Sequence, residues 1–136
     1  MEITDSETYR QILEAEILRH SMQAVDLLIE DDIAAWAAER QGNMPGNPPA
    51  AAIVNGEDGS WCILLRRTID SDWVPSILDR IEFGGFSRAK EILSTPEMFL
   101  KHLVLHELAH LMNDWRQDKE NECDGWAFEK LGVNAI

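Results

Sequence analysis

Apolar residues recur at helical spacing near the start of the chain. Tyr9, Ile12, Leu13, Ile17, Met22, Val25, Leu28 and Ile29 predict one helix from Ser6 to about Glu30, with Ser6 as its cap. Asp31 or Asp32 caps a second, short helix over Ile33 to Arg40, stopped by Gly42. Gln41 to Ala50 holds two glycines and three prolines and is predicted as a loop. The pattern then changes period. Ala51–Asn55 and Ser60–Arg67 flank Gly56-Glu57-Asp58-Gly59 and read as a β-hairpin.

Trp73 to Phe83 fits a helix after Asp72, with Pro75 confined to its first turn and Gly84-Gly85 breaking it. Ser87 to Leu93 fits no single period. Thr95 then serves as an N-cap, Pro96 as first helical residue and Glu97 as an acid in the first turn. That helix runs to about Met112, with Leu100, Val104, Leu108 and Leu111 in one row. A further helix covers Trp115 to Leu131, ended by Gly132. Helices bracketing one small sheet make an α+β arrangement.

Composition narrows the partners. The chain has 136 residues and a formal net charge of −13, with 45% hydrophobic residues, which suits one folded domain and not a disordered acidic tail. Such a surplus of carboxylates argues against nucleic acid and anionic membrane surfaces, both of which are bound through clustered Lys and Arg. No apolar run spans a bilayer, and the acidic Met1-Glu2-Ile3-Thr4-Asp5 start does not read as a secretory signal, so a cytoplasmic setting is expected.

The sharpest chemistry is His106-Glu107-Leu108-Ala109-His110. Residues four apart on a helix lie about 40° apart around its axis and one turn apart along it. Two imidazoles so placed share one tetrahedral zinc, and Glu107 beside them is the base for a zinc-bound water. A helix apolar nearly all round belongs in the interior, which suits the motif; the bland alternative is a pair of hydrogen-bonded core histidines with a surface Glu between them. A third ligand is still needed. His20 and His102 precede the motif, and Arg116 stands where a metzincin has its downstream histidine, which excludes that family. On the last helix Glu120 and Asp124 share the face of Ala127 and Leu131, whereas Glu122 and Glu129 point away from it. Inward carboxylates are costly unless compensated, and a metal is the simplest compensation.

His106-Glu107-x-x-His110 followed by Glu120-x-x-x-Asp124 resembles the gluzincin arrangement of zinc metallopeptidases. The run Glu120-Asn121-Glu122-Cys123-Asp124-Gly125-Trp126-Ala127-Phe128 is similar to the glutamate helix of ImmA/IrrE-type peptidases, with Asp124 for the usual Asn, Cys123 for Ala and Trp126 for Phe. The resemblance implies a zincin-like fold, Glu120 as third zinc ligand, Asp124 supporting a ligand histidine, and Glu107 as general base. It covers about the last 40 residues, and the short stretch between His110 and Glu120 demands a tight turn at Asn113-Asp114.

Other candidates carry less. Cys62, upstream of the motif as in peptide deformylases, is read as a buried strand residue, since Gly59-Ser60-Trp61-Cys62-Ile63 lacks that family's glycine-rich elements. Cys123 is assigned to packing beside the site. Tyr9 and His102 are the only obvious side chains for an oxyanion. The expectation is therefore a zinc metallopeptidase acting on a peptide or protein substrate, with the hairpin beside the active-site helix and its edge aligning an extended substrate. The alternative is a zinc-binding regulatory module on the same scaffold, docking a partner protein through its acidic surface without general proteolysis.

Overall fold

A computed structural model describes residues 1–40 and 46–136. The first half of the predicted proline-rich loop, with the Gly42 stop, lies outside the described residues. A 3-10 turn at Ser6–Tyr9 leads into α1 (Arg10–His20), followed by β1 (Val25–Glu30) and α2 (Ile33–Glu39). The hairpin β2 (Ala50–Val54) and β3 (Trp61–Arg66) precedes α3 (Trp73–Phe83), α4 (Ala89–Ile92), α5 (Pro96–Asn113) and α6 (Glu120–Leu131). The fold is α+β, with six α-helices among the described residues and a three-stranded mixed sheet ordered β1-β3-β2.

The N-terminal expectation is corrected. The helix predicted over Ser6–Glu30 stops at His20, where Ser21 adopts extended geometry and its hydroxyl donates to the Gln23 carbonyl. Val25-Asp26-Leu27-Leu28-Ile29-Glu30 then forms β1, with Leu27 and Ile29 buried on one face. Its backbone pairs parallel with β3, from Val25 opposite Trp61 to Glu30 opposite Arg66. The N-terminal region is therefore helix, strand, helix. Ser6 is not the cap either: Asp5 accepts from the Glu7 amide, and the buried Ser6 hydroxyl donates to the Arg66 carbonyl at 2.7 Å.

The other elements follow their local signals. Asp32 caps α2 by accepting from the Ala35 amide. β2 pairs antiparallel with β3, from Ala50 opposite Leu65 to Val54 opposite Trp61, around a turn whose Gly59 has φ of 73°. That φ is open to glycine at no steric cost. Thr95 caps α5 by accepting from the Met98 amide.

β3 lies between its two partners, and its Ile63, Leu64 and Leu65 are fully buried. α5 packs against β2, β3, α1 and α6. Its Leu100, Val104, Leu105 and Leu108 are inaccessible to solvent, and each such side chain stabilises the fold by about 1.5–3 kcal/mol. This burial fixes the rotation of α5 and thereby the direction of its histidines.

The last helix starts later than the predicted Trp115, at Glu120. Asp114 takes a left-handed conformation, with φ of 52°, and ends α5. Trp115 lies outside any helix or strand, and Arg116 is extended before a 3-10 turn at Gln117–Lys119. Among the described residues, no helix is long and apolar enough to cross a membrane.

Candidate metal centre

His106 and His110 project from successive turns of α5, His106 buried and His110 half-buried. Each ring is oriented through Nδ1. His106 Nδ1 donates to Asp124 Oδ1 at 2.7 Å, and His110 Nδ1 donates to the Trp115 carbonyl at 2.6 Å. Hydrogen-bonding Nδ1 to an acceptor leaves Nε2 as the free lone pair of a neutral ring.

Both Nε2 atoms face one carboxylate. Glu120, the first residue of α6, brings Oε2 within 3.0 Å of His106 Nε2 and Oε1 within 2.8 Å of His110 Nε2. Four lone-pair atoms cannot share this space without a positive charge between them. The same demand moves the proton affinities. Cys123 and Glu120 push His110 up to about 11. Burial opposes charge on His106, but Asp124 and Glu120 outweigh it and push that ring up to about 10. Burial likewise acts to raise Glu120, yet the two imidazoles hold it far below the usual carboxylate range. The arrangement attracts protons or a cation.

Asp124 is fully buried and fixed from both sides. Its Oδ2 accepts from Arg80 Nη1 of α3 at 3.0 Å. Burial would raise its pKa, but His106, His102 and Arg80 keep it lowered. Sequence reasoning missed Arg80, which lies 44 residues before Asp124 and has no local signal.

Cys123 is fully buried, as a packing role requires. It is also part of the centre: His106, His110 and Cys123 place donor atoms within 4.8 Å of one another, a group able to hold a metal ion. Its helical position beside Glu120 and Asp124 was the available signal.

The centre opens on a cleft of about 670 Å³. Ala50, Ala51, Ala52 and Val54 of β2 form one wall, and Glu107, His110 and Leu111 of α5 the floor. Pro48, Trp115, Arg116, Gln117 and Glu120 complete it. Glu107 lies in this cleft, directly after His106 and three residues before His110, and burial pushes its carboxyl upward against the lowering effect of the imidazoles.

Neither oxyanion candidate lines the cleft. His102 is buried with its ring 4.5 Å from that of Phe128 and its Nε2 3.6 Å from Asp124 Oδ1, and Tyr9 packs against the core. Cys62 borders a separate cavity with Trp36 and Arg40. His20 lies beside Glu16 of α1.

The chain matches no protein-family model, no curated protein and no solved structure.

Proposed function

We propose that the protein is a zinc-dependent metallopeptidase of the zincin type, with the gluzincin-like pattern that resembles ImmA/IrrE peptidases. His106, His110 and Glu120 hold the zinc, Asp124 orients His106, and Glu107 is the general base. The observation that carries this reading is the convergence of His106 Nε2 and His110 Nε2 on the two oxygens of Glu120 while both Nδ1 atoms are turned to other acceptors. Zinc, when bound, supplies Lewis acidity toward a peptide carbonyl and toward water.

The remaining steps belong to the chain. Glu107, raised by burial, takes a proton from the attacking water as the new carbon–oxygen bond forms. It then gives that proton to the amine nitrogen as the carbon–nitrogen bond breaks. β2 is an outer strand of the sheet, and its alanines leave room beside the cleft. An extended peptide added along this edge brings a carbonyl over Glu107. A cytoplasmic setting agrees with two cysteines that are not paired.

Metal analysis of purified protein and hydrolysis of an unfolded protein substrate test the assignment. Stoichiometric zinc is expected, with Glu107→Gln keeping the metal and losing hydrolysis. Absence of zinc, or full zinc retention by Glu120→Ala, overturns it. A second reading, a zinc-binding module that docks a basic partner, is favoured by one observation: Cys123 lies beside the donors, where a thiolate would occupy the position that catalysis leaves open. Partner binding indifferent to Glu107→Gln, with no cleavage, supports that reading.

A further inference from the structure

The hydrolytic scheme leaves one buried donor unused. Cys123 follows Glu120 by three residues on α6, as His110 follows His106 by four on α5, so each helix presents two donors on one face. The Cys123 side chain is 0% exposed, and its sulfur and one ring nitrogen from each of His106 and His110 all lie within 4.8 Å of one another. A thiol kept only for packing has apolar neighbours; this one faces two imidazoles and has Glu120 one turn away on its own helix. A disulfide does not account for it, because Cys62 is a free thiol on β3 beside a different cavity.

We propose that Cys123 is a fourth protein donor to the metal held by His106, His110 and Glu120. The set of two nitrogens, one oxygen and one sulfur fills a tetrahedral shell and selects thiophilic divalent ions, zinc or cobalt, over magnesium or manganese. As the sulfur binds, the thiol proton leaves to solvent, and no oxidation state changes. The inference rests on the metal site of the proposed function and not on hydrolysis. With the sulfur bound, no position is left for the exchangeable water that hydrolysis needs, so this inference favours the second reading, the zinc-binding module, over the peptidase.

Cobalt(II) loaded into the metal-free protein reads the donor set directly. The expected spectrum has intense visible bands of tetrahedral cobalt together with a thiolate-to-cobalt charge-transfer band in the near ultraviolet. That band should vanish in Cys123→Ala and persist in Cys62→Ala. Visible cobalt bands without charge transfer in the wild type overturn the proposal and leave the three-donor site standing, as does a band that survives Cys123→Ala. Failure of the wild type to take up cobalt or zinc overturns the metal reading itself. Because alanine leaves a hole at a fully buried position, Cys123→Ser, closer in size, is the second variant, and loss of the band is expected there too. X-ray absorption of the zinc-loaded wild type needs no variant. One sulfur neighbour is expected, and a shell of nitrogen and oxygen alone overturns the proposal.

Discussion

Arg80 Nη1 stands 3.0 Å from Asp124 Oδ2, joining a half-exposed cation on α3 to a carboxylate with no contact with water. The other oxygen of that carboxylate holds His106 by Nδ1. An acid buried on α6 thus stays ionised because two cationic or hydrogen-donating partners reach it, and its charge in turn keeps the His106 ring in one tautomer and one orientation. The path from Arg80 through Asp124 to His106 links the middle of the chain to the metal centre.

Removing that support should loosen the metal without removing a ligand. Asp124→Ala is expected to weaken zinc binding by about 10–100-fold in competition with a chromophoric chelator. Arg80→Gln should weaken it less, since the guanidinium is 45% exposed and partly screened by water. Unchanged affinity in Asp124→Ala would remove the orienting role.

His102 sets a pH dependence. Burial pushes its pKa from the ordinary 6.5 down to about 4, against the attraction of Asp124. Between those values the unfolded chain binds the extra proton and the folded chain does not. The stability from keeping this ring neutral is therefore present above pH 6.5 and is lost as pH falls toward 4. Denaturant titrations at pH 7 and pH 4.5 should show wild type losing about 2 kcal/mol more than His102→Leu. Equal losses in the two proteins would mean the ring is charged inside the fold.

Asp114 carries the left-handed turn between α5 and the Trp115 segment. Glycine takes that conformation freely, while a β-branched residue is strained there. Asp114→Gly should melt close to wild type, and Asp114→Val should lose about 1–2 kcal/mol. Thermal denaturation of the pair decides it, since equal melting temperatures would show that the backbone relaxes at no cost.

The two parts of the chain that sequence reasoning described best are governed by neighbours in sequence. Thr95-Pro96-Glu97 announces α5, and the Gly56-Glu57-Asp58-Gly59 turn announces the hairpin. β1 was hidden because Val25, Leu28 and Ile29 satisfy a helical period as well as Val25, Leu27 and Ile29 satisfy a strand. What decides it is the distant partner β3, which supplies the backbone hydrogen bonds. The late start of α6 was hidden because a helical pattern runs on through Trp115, and only the Asp114 backbone and the bond from His110 to the Trp115 carbonyl break it. At the centre, helical geometry turned Glu120 and Asp124 inward, and both meet His106. Arg80 and the closeness of the Cys123 sulfur depend on how α3, α5 and α6 pack, which no local pattern encodes.

The bond between His106 and Glu120 spans only 14 residues of chain. Closing so short a loop costs little conformational entropy, so these donors are accessible to the unfolded chain as well as to the folded one. An ion that binds both states raises the melting temperature by less than its affinity for the native protein alone would give. With a metal bound, the same locality would favour pairing of α5 with α6 as a helical hairpin over the β1–β3 pairing, which joins residues much further apart in sequence.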